Sequence, residues 1–220
     1  TADNNTGIGY NALNQNTTGT NNVAVGANAL DTNTTGSQST AIGANALTSS
    51  TAENNTAVGK SAMQATTTGT RNAAVGTNVM AANTSGTDNT ALGAFSLDAN
   101  TTASNNTAVG ALALGLNTTG TQNTAVGSNA LDANTTADNN TAVGFQSLTS
   151  VTTADGNSAL GAKSLENNTT GSSNTAVGGD SLRNNTTAAN NTAVGQSALK
   201  ANTTGHSNTA VGANALDANT

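Results

Sequence analysis

Thr119-Gly120-Thr121-Gln122-Asn123-Thr124-Ala125-Val126-Gly127-Ser128-Asn129-Ala130-Leu131-Asp132-Ala133-Asn134-Thr135 is one complete copy of the unit from which this chain is built. Numbered 1 to 17 from Thr119, the unit reads T-[G/A]-x-x-N-T-A-V-G-x-x-A-L-x-x-N-T. Its Val-Gly step recurs, as Val, Ile or Leu before Gly, at Gly9, Gly26, Gly43, Gly59, Gly76, Gly93, Gly110, Gly127, Gly144, Gly161, Gly178, Gly195 and Gly212. Every interval is 17 residues except the 16 from Gly43 to Gly59, so twelve units of 17 and one of 16 account for all 220 residues.

A unit this short cannot bury a core alone, and tandem units of this kind stack. Helical repeat families use units of about 33 residues or more, and Thr and Asn at this density oppose helix while Val and Thr favour strand. Asn123-Thr124-Ala125-Val126, closed by Gly127, therefore reads as a short strand, with Thr124 and Val126 on one face and Asn123 and Ala125 on the other. Ala130-Leu131 reads as a second straight edge, and the Gly and Asn-Thr-Thr-Gly/Ala segments read as corners. The chain is expected to be an all-β parallel β-solenoid or β-roll over residues 1–220, thirteen coils of one unit each, with no helix of note.

Size suggests that two columns fill the interior: position 8 (Ile8, Val25, Ile42, Val58 and onward) and position 13 (Leu13, Leu30, Leu47, Met63 and onward). One Val and one Leu per layer contribute roughly 1.5–3 kcal/mol each, against roughly 1–2 kcal/mol of backbone entropy per ordered residue. Ladders between coils and stacked polar groups must contribute, and a partner chain is expected to add to them. If Val at position 8 points inward, alternation points position 7 outward. That position is Ala in twelve copies and Gly7 in the first, a methyl-sized column suited to close packing by a neighbouring chain. The alternative is a bulge that turns both residues inward.

Position 5 is Asn in twelve copies, with Ser39 the exception. Such a column can hydrogen-bond from coil to coil, though Asn also suits turns. The constant Gly at position 9 points to a corner needing positive φ, or to close approach of another backbone. The third unit has only Thr48-Ser49-Ser50 between Leu47 and Thr51. A one-residue loss inside a strand would exchange its faces, so the deletion must lie in a corner with the columns in register beyond it.

Chemistry-bearing residues are few. Charged residues make up 7% of the chain, against about 25% in ordinary globular domains. Cysteine is absent and His206 is the only histidine, so neither a nucleophile–base pair nor a zinc set can be assembled. His206 reads as a solvated loop residue. No calcium loop or phosphate-binding glycine loop appears, and with five basic residues and a net charge of −6 a nucleic-acid surface is disfavoured. No apolar run approaches the roughly 18 residues of a membrane span. The chain is thus not expected to be an enzyme, with no catalytic, cofactor-binding or metal residues. The one recurring chemical signal is the N-x-[ST] acceptor. It occurs at Asn16, Asn33, Asn83, Asn100, Asn117, Asn134, Asn168, Asn185 and Asn202, with a second register at Asn4, Asn54, Asn105, Asn139 and Asn190. An Asn/Thr-rich repeat also generates such triplets by composition alone.

The N-N-T-A-V-G core resembles the N-S-V-A-I-G motif of the head domains of trimeric autotransporter adhesins. The full N-T-A-V-G-x-x-A-L-x-x-N-T-T-G unit is similar to tandem arrays in bacterial and phage tail-fibre-domain proteins. The resemblance covers the whole chain and implies a left-handed roll, a homotrimer or filament, and an extracellular, cell-surface or virion location. The adhesin unit is usually 14 residues, so one corner here is longer. Joined head to tail, the ends reproduce the internal string Asp132 to Asn140, which reads as an internal slice of a longer fibre. The expected function is a structural fibre or adhesin-stalk segment acting by self-association and attachment to a host surface or glycan. The alternative is an ice- or carbohydrate-binding solenoid. Against it, the paired Thr residues at positions 17 and 1 are adjacent and would face opposite ways.

Overall fold

A computed structural model describes residues 2–218; the repeat ends at Thr1 and at Asn219 and Thr220 lie outside the described residues. The chain divides into two compact units, Thr1–Asn106 and Thr107–Thr220. The first carries β1 (Thr6–Ile8), β2 (Val23–Val25), β3 (Thr40–Ile42), β4 (Thr56–Val58), β5 (Ala73–Val75) and β6 (Thr90–Leu92). The second carries β7 (Thr107–Val109), β8 (Thr124–Val126), β9 (Thr141–Val143), β10 (Ser158–Leu160), β11 (Thr175–Val177), β12 (Thr192–Val194) and β13 (Thr209–Val211). Within each unit successive strands pair in parallel, one strand per coil, as in Ala125↔Ala142 and Ala142↔Ala159. This is the all-β parallel solenoid expected from the repeat, with no helix among the described residues.

The coils are also laddered beyond the three-residue strands. Amides at positions 13 and 15 donate to carbonyls of the next coil, as in Leu131 N–H to Ser147 O and Ala133 N–H to Thr149 O, both 3.1 Å. Strand structure stops early because positions 4, 11 and 13 adopt positive φ, for example Asn139, Asn129 and Leu131 at 59°, 57° and 51°. Asn tolerates this left-handed region, whereas a bulky side chain does so only when its surroundings hold it there. At the position-9 corner both explanations for glycine hold together. Gly127 has φ +135°, and a Cβ there would lie 2.5 Å from the Gly144 carbonyl oxygen of the next coil.

The interior differs from the expectation in one respect that matters for function. The position-7 alanines, including Ala125 and Ala142, are buried inside their own coils, and the position-8 aliphatics face outward. Alternation along the strand is intact, without a bulge, but its polarity is the reverse of that argued from side-chain size. One Leu or Met per coil packs with the small side chains of positions 7 and 12 and, in most coils, with two Asn amides, and position 2 adds a methyl group where it is Ala. Position 7 therefore cannot be a surface packed by a neighbouring chain.

The deletion falls in a corner, as the alternation rule requires, but it lies after Thr51 and not between Leu47 and Thr51, so the fourth unit is the short one. Thr51 N–H donates to Thr67 O at 3.1 Å, so Thr51 stands at position 17 and the following position 1 is missing. Register is kept beyond it, with Ile42 opposite Val58 and Val58 opposite Val75.

Candidate functional site

Two columns of buried Asn side chains run up the coils. At position 5 each Oδ1 accepts the backbone N–H of its counterpart one coil on, as Asn123 does from Asn140 at 2.9 Å. Its Nδ2 donates to the position-2 carbonyl of the next coil, as Asn123 does to Ala137 at 2.7 Å. Direct amide-to-amide bonds are longer, 3.2 Å from Asn72 to Asn55 and from Asn174 to Asn157. The Asn ladder is present, and most of its bonds run between side chain and backbone.

The second column, at position 16, was missed as a ladder in the sequence because its Asn belongs to the Asn-Thr-Thr acceptor triplet. Asn134 Nδ2 donates to Asn117 Oδ1 at 2.8 Å and to the Ala137 carbonyl at 3.2 Å. Asn185 does the same with Asn168 and Ala188, both at 2.9 Å. The position-2 carbonyl thus takes one amide from each column and ties them together. In the ninth coil Val151 interrupts this column, and the buried Oδ1 of Asn134 below it has no partner.

These geometries place the acceptor triplets. Asn33, Asn83, Asn100, Asn117, Asn134, Asn168, Asn185 and Asn202 are fully buried, while Asn16 is half-buried, its Nδ2 3.0 Å from the Gly19 carbonyl. A glycan on an inward Nδ2 of this column has no room in the folded coil. The second register is different: Asn4, Asn54, Asn105, Asn139 and Asn190 are exposed at the left-handed position 4.

Polar surface groups mostly serve the stacking. At position 3 a side chain often accepts the backbone N–H of position 3 in the preceding coil, as Ser37 does from Thr20 and Ser104 from Thr87, both at 3.0 Å. His206 takes this role, its Nδ1 accepting Ala189 N–H at 2.9 Å, so the exposed ring is anchored through one nitrogen. Arg71 grips Asp88 one coil away through Nε and Nη2 at 2.7 and 2.8 Å. This hydrogen bond holds the Asp88 carboxyl below the ordinary carboxylate range. Asp98 moves the other way: burial raises its pKa, opposed by a hydrogen bond from the Ala81 backbone. Among the described residues no three His, Asp or Glu side chains converge to hold a metal, no pocket opens, and no helix is long and apolar enough to cross a membrane.

What remains is the outward face of the strands. Positions 6 and 8 lie side by side on it, Thr124 beside Val126 and Thr141 beside Val143. Ile42, Leu92 and Leu160 are 40%, 48% and 51% exposed. No residue at either position is charged in any coil. No protein-family model matches the chain, and no curated protein does. The exposed threonines of position 1, such as Thr119 and Thr136, form a separate column. Their position-17 neighbours are turned into the ladder, as when Thr118 Oγ1 donates to Thr135 O at 2.9 Å.

Proposed function

We propose that this chain is a structural, self-associating segment of an extracellular fibre or adhesin stalk, and that it performs no catalysis. The observation that carries the reading is the uncharged aliphatic and threonine face that each unit exposes, where among the described residues no pocket opens and no metal-holding set of His, Asp or Glu converges. Exposed apolar surface that repeats from coil to coil marks an association surface more often than an idle one. The similarity of the repeat to adhesin-head and tail-fibre arrays supports the same reading and favours a left-handed homotrimer at a cell or virion surface. Attachment to a host surface or glycan then belongs to the assembled fibre. Sedimentation velocity of the 220-residue chain tests this: a species of at least twice 21.2 kDa is expected at micromolar concentration. A monomer at every concentration would remove the reading.

One observation favours a second reading. Thr at position 6 beside Val at position 8, a pair present in most coils, sets hydroxyl and methyl groups at the coil spacing, which suits an ordered ligand such as ice or a crystalline polysaccharide. Thermal hysteresis, or co-sedimentation with insoluble glycan, by the wild-type chain would support that reading.

A further inference from the structure

We infer that the surface through which this chain associates is the outward sheet face of positions 6 and 8, and that its occupant is a second copy of the same chain. The inference rests on the self-association proposed above and locates it. The reversal of strand polarity is the starting point: position 7, the small column that first suggests itself as an interface, is interior, and the β-branched column is the one left uncovered.

Three features identify the occupant. The first is period. The face is a row of Val, Ile or Leu beside a row of mostly Thr, each advancing by one side chain per coil, about 4.8 Å. A surface of the same chemistry and spacing lets every aliphatic side chain meet an equivalent neighbour, and another copy of the chain provides one. The second is charge. Neither position is charged in any coil, so two copies carrying −6 each can bring these faces together while their acidic groups stay elsewhere. An anionic lipid or phosphate would find no cation there.

The third is area. A three-residue strand is about 10 Å long, so with strands about 4.8 Å apart the six strands of the first unit present roughly 290 Å² and the seven of the second roughly 340 Å². Stable interfaces bury about 800 Å² per partner, and the weaker transient ones less than about 600 Å². The face of either unit therefore lies in the range of weak association, where each added coil contributes. Association that strengthens with the number of coils is the behaviour of a self-matching stripe. A compact hot spot would not show it.

The test uses the full 220-residue chain and sedimentation equilibrium. The double variant Val126→Lys/Val143→Lys places two charges on the face. Thr119→Lys/Thr136→Lys places the same charges on the exposed position-1 column. The milder Val126→Thr/Val143→Thr keeps β-branching and strand preference, and circular dichroism checks that each variant is folded. The Val→Lys pair is expected to weaken association roughly tenfold or more and the Val→Thr pair several-fold. The position-1 pair should leave it within about twofold of wild type. A monomeric wild type would defeat both this inference and the self-association beneath it. An associating wild type whose Val variants match it, or whose position-1 variants dissociate instead, overturns the assignment of the face and leaves self-association standing. Should the lysine variants fail to fold, the Val→Thr pair decides alone, and unchanged association refutes the inference.

Discussion

Val151→Asn should stabilise the protein, although it replaces a fully buried aliphatic side chain with an amide. Val151 stands at position 16, between Asn134 and Asn168, where most coils carry Asn. Its presence leaves Asn134 Oδ1 buried without a partner. An unsatisfied buried acceptor costs about 1–3 kcal/mol, and each new hydrogen bond contributes about 1 kcal/mol net. Asn at 151 would donate to Asn134 Oδ1 and to the Ala154 carbonyl, which already accepts from Asn140 at 2.9 Å and, at 3.5 Å, from Asn157, whose long bond the new amide would replace. Against this stands the lost burial of Val, about 1.5–2 kcal/mol. The balance favours Asn by about 1–2 kcal/mol, a rise of roughly 2–8 °C in melting temperature for a chain of this size. Val79 supplies the contrast. It is equally buried but sits at position 12, outside both ladders, and Val79→Asn should cost about 3 kcal/mol as an underpaired amide. Paired thermal and urea melts measure both. If Val151→Asn lowers stability, or the two substitutions shift it alike, the account of the second column is wrong.

Three further outcomes follow from the geometry. Gly127→Ala should cost about 3 kcal/mol or more, because it combines strain at φ +135° with a 2.5 Å approach to the Gly144 carbonyl oxygen; a melting temperature within 2 °C of wild type would contradict the corner. Burial raises the Asp98 pKa above its unfolded value of about 3.9, so the fold favours the protonated carboxyl. No penalty exists below the unfolded value, and it grows as pH rises through the folded one. Asp98→Asn should therefore stabilise at pH 7 and make no difference near pH 3, as pH-dependent urea midpoints would reveal. Expressed in a glycosylating host, the chain should carry any glycan at exposed sites such as Asn139 and Asn190. Peptide mapping that finds sugar on Asn134 or Asn185 of the folded protein would contradict the inward placement of that column.

Much of this fold is legible in the repeat. The 17-residue interval and the Asn-Thr-Ala-Val-Gly strand gave the coil, and the alternation rule put the one-residue deletion in a corner, though on the other side of Thr51 from where the spacing suggested. What misled was volume. Val126 is larger than Ala125, and a hydrophobic ranking sends the larger one inside. The decisive signal lay at the neighbouring positions: Thr124 shares a face with Val126, and Asn123 shares one with Ala125. A near-constant Asn beside a near-constant Ala suits a narrow interior where amides bond to backbone and Leu131 takes the remaining space. Position 6, by contrast, varies among Thr, Val, Ala and Ser, as an outer wall can. The second Asn column was hidden for another reason. The triplet Asn-Thr-Thr is a modification signal by spelling and a structural amide by position, and only the direction of its Nδ2 separates the two.

The left-handed backbone at position 13 makes the Leu131 column a record of torsion as well as of size. All thirteen copies have φ between 49° and 55°, and the side chains are Leu in eleven coils and Met in two. A branch at Cβ is poorly tolerated in that region. At the extended position 8 the thirteen copies include nine Val and two Ile. Two aliphatic columns of one protein therefore have separate substitution alphabets. Leu and Met can exchange at position 13, but isoleucine, with the same atoms as leucine, is excluded by its branch point. A saturation library at residue 131 should recover Leu and Met and lose Ile and Val, while the same library at residue 126 should retain Ile and Val. If isoleucine is retained at 131 as readily as methionine, packing volume governs the column and the torsion does not.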